Sequence, residues 1–202
     1  MDFNAGMTGS TARKELMITV FVWRPSDGYG HASMLVDGGR PSGSIYISYW
    51  PADQGRELNW LPPGSSGMRN FNAPAIRNRT FEADELGERD RNTDPPRYPN
   101  YRMCLDGLDE TMIKRWWSEA QRTWGRWDAT SYNCSTVVAT ALNAGGALRF
   151  CRRGALSYWN SNNAFWTPMN IVQYVSEISA GLDAHLLEPD RGILAPIRRL
   201  IR

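Results

Sequence analysis

The stretch from Tyr132 to Gly146, YNCSTVVATALNAGG, decides the fold. Val137, Val138, Ala141 and Leu142 recur at three- and four-residue spacing, which predicts a helix over Cys134 to Asn143 with one buried stripe. Gly145-Gly146 ends it as a helix C-cap does. Cys134 thereby falls in the first helical turn, where unpaired N–H groups and the helix dipole favour negative charge. A thiol placed there is drawn toward its reactive thiolate, and its own backbone N–H can donate to an oxyanion. A small residue buried on an apolar helix face would account for the cysteine equally well. A cysteine nucleophile also needs an imidazole within hydrogen-bond reach. The chain has two histidines, His31 and His185.

Upstream, Leu16 to Trp23 (LMITVFVW) reads as a buried strand, and Arg24 to Gly30 as a turn. His31 to Asp37 (HASMLVD) forms a second strand that turns at Asp37-Gly38-Gly39. Ser44 to Trp50 (SIYISYW) forms a third. Its alternation sets Ile45, Ile47 and Tyr49 against Ser44, Tyr46, Ser48 and Trp50 on the opposite face. Residues 51–100 carry Pro62-Pro63, Gly64-Ser65-Ser66-Gly67 and Pro95-Pro96 and show little periodicity, so they read as an irregular insertion. One short strand is expected there, near Arg79 to Ala83. Tyr101 to Leu105 reads as a strand. A helix follows with Asp109 as N-cap and Met112, Ile113, Trp116, Trp117 and Ala120 facing inward, ending near Trp124-Gly125. A third helix starts at Thr167-Pro168 and runs to about Ser179.

With 202 residues, the chain is read as a single catalytic domain over 1–202, the insertion included. Three cysteines, Cys104, Cys134 and Cys151, show neither CxxC pairing nor Cys/His ligand spacing, so no zinc site and no other metal is expected. A reduced interior is the expectation for them. The one dense basic cluster, Arg198, Arg199 and Arg202, reads as a solvated tail, and no basic face with interleaved aromatics points to nucleic acid. No apolar run is long enough to span a membrane. Met1 to Glu15 lacks the pattern of a secretory signal, so the expectation is synthesis in the cytoplasm and any export by a specialised route. Nine tryptophans are read as core or as lining of a groove.

Two segments carry a family resemblance. Trp124 to Val138, WGRWDATSYNCSTVV, resembles the nucleophile segment of NlpC/P60 hydrolases, and Gly30 to Val36, GHASMLV, resembles the same family's His strand. His31 lies about a hundred residues before Cys134, the reverse of the usual order, which matches the permuted branch that includes the lecithin:retinol acyltransferase-like proteins. Taken together, GHASM…YISYWP and LDE…WW…YNCSTVVATALNAGG look like a group of bacterial cysteine-hydrolase effectors associated with type VI secretion and toxin cassettes. The resemblance covers Phe21 to Trp50 and Gly107 to Gly146, about a third of the chain. It departs from the family at Asn133, where an Asp is usual, and at Arg122, where an oxyanion-assisting Tyr is usual.

The resemblance implies an α+β, circularly permuted papain-like fold with a small antiparallel sheet packed on the nucleophile helix. It implies a cysteine peptidase or amidase in which Cys134 attacks, His31 is the base and a thioester acyl-enzyme forms, with no cofactor. Ser48 is the expected His-orienting residue, since it shares the polar face of its strand, with Tyr46 as runner-up and Asp27 and Asp128 as carboxylates that folding could bring close. Asn133, Tyr46, Trp50 and Tyr132 are candidates for the substrate and oxyanion region. His185 lacks the Gly-His strand context, and neither Cys104 nor Cys151 starts a helix. Expected partners are a peptide or peptidoglycan substrate, a cognate immunity protein and a secretion machine. A lipid acyltransferase or phospholipase of the permuted type and a non-catalytic papain-like binding module are the competing readings.

Overall fold

The computed structural model describes residues 17–24, 30–37, 43–52, 72–87, 97–152, 159 and 165–187. The elements in chain order are β1 (Met17–Trp23), β2 (His31–Asp37), β3 (Ile45–Ile47), β4 (Trp50–Pro51), β5 (Asn72–Ile76), α1 (Phe81–Gly87), β6 (Tyr101–Leu105), α2 (Glu110–Thr123), β7 (Arg126–Asp128), α3 (Cys134–Ala144) and α4 (Pro168–Leu187), with a 3-10 turn at Ala147–Phe150. The architecture is mixed α+β with two small antiparallel sheets, ordered β3-β2-β1-β6 and β4-β5-β7. Among the described residues, no helix is long and apolar enough to cross a membrane.

The first sheet divides its side chains by the period of two. Register pairs Val20 with Met34 and Val22 with Ala32, and Met34 with Ile47. These side chains join Val137, Val138, Ala141 and Leu142 of α3 and Ile171, Tyr174, Val175 and Ile178 of α4 in one buried core. The predicted α3 stripe is therefore the surface by which that helix meets the sheet. The opposite face carries Phe21, Trp23, His31, Ser33 and Tyr46, since Phe21 pairs with Ser33, Trp23 with His31 and Leu35 with Tyr46. Phe81 of α1 covers that face, with ring centroids 4.7 Å from Phe21, 6.1 Å from Trp23 and 6.2 Å from Tyr46.

The helix starts follow local chemistry. Asp109 caps α2 by accepting from the Met112 N–H. Asn133 caps α3 by accepting from the Thr136 N–H at 2.9 Å. Thr167 and Asn170 cap α4 reciprocally, each side chain bonding the other's backbone N–H. Pro168 stands first in that helix, where a missing N–H costs nothing.

Several expectations need correction. Residues expected as a short strand near Arg79 to Ala83 instead lead into and begin α1, because Thr80 Oγ1 accepts the Ala83 N–H and Glu82 and Asp84 place acid in the first turn. The strand expected over Ser44 to Trp50 breaks after Ile47, and the chain crosses to the second sheet, where Trp50 pairs with Ile76. Pro51 has no N–H for a longer ladder, so β4 is two residues long. Met112 of the predicted inward stripe is exposed and Trp116 only half-buried, leaving Ile113, Trp117 and Ala120 to pack inward. α4 runs beyond Ser179 to Leu187. Asp27 lies outside the described residues, as do Pro62-Pro63, Pro95-Pro96 and the tail arginines.

Candidate active site

The site forms where three elements meet. His31 opens β2, Cys134 opens α3 and Asp84 lies in the middle of α1. At the first position of its strand the imidazole is at the end of the sheet, so partners reach it from more than one element. His31 Nε2 lies 2.9 Å from Asp84 Oδ2, with the two side chains 2 % and 0 % exposed. Cys134 also acts on the charge of the imidazole. Cys134 is buried, with Sγ 3.9 Å from the hydroxyl of buried Ser135.

The electrostatics follow from this packing. Burial by itself would drive the proton off His31, but the charge and hydrogen bond of Asp84, joined by those of Cys134, outweigh it and raise the pKa well above the imidazole range. Burial would likewise raise Asp84, yet the charge of His31 and bonds from His31, Ser48 and Tyr46 hold its carboxyl below the usual carboxylate range. Both shifts favour an imidazolium facing a carboxylate in the protein interior.

Asp84 is bonded at both oxygens. Oδ2 accepts from the Tyr46 hydroxyl at 2.7 Å as well as facing His31, and Oδ1 accepts from Arg79 Nε at 2.7 Å. Tyr46 also meets the Ser33 hydroxyl at 2.6 Å. Burial and the neighbouring carboxylate push the Tyr46 phenol pKa up, so it acts as a neutral donor. Ser48 Oγ lies 3.3 Å from His31 Nε2, and the Trp50 indole nitrogen 3.1 Å from the same atom. An Nε2 that donates to Asp84 cannot also accept an indole N–H. The buried carboxylate is the stronger partner, so Trp50 contributes chiefly its ring, tilted against the imidazole at 4.6 Å between centroids. Trp23 packs on the imidazole at 5.3 Å.

The structure therefore brings Cys134, His31, Ser48, Tyr46 and Trp50 together, and it adds a residue that sequence reasoning missed. The carboxylate beside His31 is Asp84, within the stretch read as an insertion, rather than Ser48 alone. The missed signal was Thr80 followed by acidic residues, a helix start that carries Asp84 on its first turn. Tyr46 bonds the carboxylate that faces His31, and Ser48 lies against the imidazole itself.

Two other candidates, Asn133 and Tyr132, make their contacts apart from the imidazole. Both amide hydrogens of Asn133 are used, one by the Ala129 carbonyl and one by the Trp166 carbonyl, each at 2.9 Å. Its oxygen caps α3, so the Asn133 side chain fixes the helix start and has no hydrogen left for an oxyanion. Tyr132 is exposed and packs edge-on against Trp124 at 5.2 Å, beside a cavity of about 380 Å³ also lined by Arg126, Asp128 and Ser131. Asp128 Oδ1 accepts from the backbone and hydroxyl of both Thr130 and Ser131, which hold its carboxyl low and shape the loop before α3. His185 lies in α4, and its side chain is outside the described residues. Cys104 is exposed on β6, and burial pushes the Cys151 thiol up to about 11; all three cysteines are free.

A family model described as the IcsB middle domain matches residues 65–191 of the chain. The matched segment takes in residues 65–100 of the stretch read as an insertion and contains Asp84 and Cys134; His31, Tyr46, Ser48 and Trp50 precede it. No curated protein and no solved structure matches the chain.

Proposed function

Since the chain belongs to the IcsB middle-domain family, we propose that it is a cysteine hydrolase of the effector type, acting through Cys134, His31 and Asp84. The observation that carries this reading is the buried His31–Asp84 pair, with Nε2 2.9 Å from Oδ2, on whose imidazole Cys134 also acts electrostatically. A nucleophile, a base and a group that orients the base are what acyl transfer requires. The NlpC/P60-like motifs add the permuted papain-like arrangement to the proposal.

Asp84 holds Nε2–H and leaves Nδ1 for the thiol. In the reactive form His31 already holds the Cys134 proton as an imidazolium, and the Cys134 thiolate attacks the carbonyl carbon of an amide. The C=O electron pair moves to oxygen, where the α3 N-terminus and the Cys134 N–H offer donors. The intermediate collapses as His31 passes its proton to the departing amine, leaving a thioester on Cys134. Water, deprotonated by His31, then attacks the thioester, releasing the acid and restoring the thiol. An amide in a peptidoglycan stem peptide or in a target-cell protein is the proposed substrate class, with delivery by a secretion machine and restraint by an immunity protein.

The test is to incubate the protein with peptidoglycan fragments and with unfolded protein, quench in acid, and map cysteine peptides by mass spectrometry. The expected result is a hydroxylamine-sensitive acyl adduct on Cys134 and cleaved product, both lost in Cys134→Ala and His31→Ala. Cleavage that survives Cys134→Ala would refute the proposal.

A further inference from the structure

Arg79 stands outside the three reacting groups, yet it touches both supports of the imidazole. Its Nε donates to Asp84 Oδ1 at 2.7 Å, the oxygen that does not face His31. Its guanidinium lies over the Trp50 ring, 4.3 Å from the centroid, and that ring packs against His31. A second nitrogen of the fork bonds the Ala83 carbonyl of α1. The fold leaves room for the group at Gly87, where a Cβ would come within 2.5 Å of the guanidinium and 3.1 Å of the Trp50 ring. A buttress that served only packing would not need the permanent positive charge that Arg79 brings to Asp84.

The charged and titratable groups converging here are Asp84 of α1, His31 of β2, Tyr46 of β3, Cys134 of α3 and Arg79 itself. Tyr46 is neutral. In the reactive form the other four are carboxylate, imidazolium, thiolate and guanidinium, two anions and two cations. Without Arg79 the same buried cluster carries one surplus negative charge. A buried anionic surplus is relieved by taking up a proton, and the thiolate is the site where that uptake disarms the enzyme.

We infer that Arg79 is a positioning residue of this site, locking Asp84 toward His31 and supplying the second positive charge that lets the Cys134 thiolate and the imidazolium coexist. The inference rests on the proposed thiol chemistry, and the test separates the two. The rate of iodoacetamide labelling at Cys134 is followed by peptide mapping from pH 5 to 9 in the full chain, for wild type, Arg79→Met, Arg79→Gln and Arg79→Lys, with thermal unfolding measured alongside. The neutral variants are expected to label about tenfold more slowly at pH 6 and to recover at high pH, the effect of losing a charge at this range. Arg79→Lys should keep a profile close to wild type. Should Arg79→Met fail to fold, Arg79→Gln carries the comparison, and His31 ring titration by NMR provides a second readout. Unchanged labelling profiles in the neutral variants, or equal loss in Arg79→Lys, would overturn the role. A wild-type Cys134 that labels no faster at pH 6 than a free thiol would instead count against the catalytic reading itself.

Discussion

Replacing Asp84 with asparagine should slow acylation of Cys134 by roughly 10²–10⁴-fold while the protein still folds. The variant keeps the shape of the side chain and removes its charge. The amide can present its oxygen to only one of the sides now served by Oδ1 and Oδ2, so Arg79 Nε and the His31–Tyr46 side cannot both find an acceptor. Burial, no longer opposed by the carboxylate, then pushes the imidazole toward its neutral form. Rapid-quench measurement of the thioester tests this, and a rate within about threefold of wild type would show that Asp84 does not support His31. The same pair sets a pH signature in stability. His31 is raised, so its contribution is present below the ordinary imidazole value of 6.5 and is lost as pH climbs through the raised value. Asp84 is lowered, so its contribution is present above the ordinary 3.8 and is lost as pH falls through the depressed value. Stability from the pair is therefore greatest between those limits, and Asp84→Asn should flatten the profile.

The second large effect belongs to the scaffold. Leu142→Ala should cost about 2–5 kcal/mol of stability, since Leu142 is fully buried on α3 within the core shared with the sheet and α4. Deleting its branched end leaves a cavity on the helix that carries Cys134, at the end remote from the thiol. Denaturant unfolding should show the loss, while Cys134 labelling in the folded protein keeps its pH dependence. A cost under about 1 kcal/mol would mean that the α3 stripe does not bear on the core as described.

How much was legible in the sequence follows from the range of the forces involved. The α3 stripe, the Asp109 and Thr167 caps and the β1–β2 strands are local patterns of period and capping, and they are present as read. The shared face of Tyr46, Ser48 and Trp50 was also legible, because alternation survives the break in the strand. Asp84 was not, because its meeting with His31 spans 53 residues and depends on Phe81 docking α1 onto the aromatic face. Nor were the partners of Asn133, whose amide hydrogens go to carbonyls at Ala129 and Trp166, the latter 33 residues away. Pattern reading finds which residues can do chemistry; the long-range contacts decide which are free to do it.

On this reading His31 is a buried cation held against Asp84 within the field of Cys134. Two histidines make it directly measurable, because the imidazole signals of His31 and His185 are separated by a His31→Gln spectrum. A two-dimensional NMR titration of the wild-type protein should show the His31 ring still protonated at pH 8, and neutral there in Asp84→Asn. A wild-type His31 that titrates near 6.5, unaffected by Asp84→Asn, would mean that Asp84 does not hold a cationic His31.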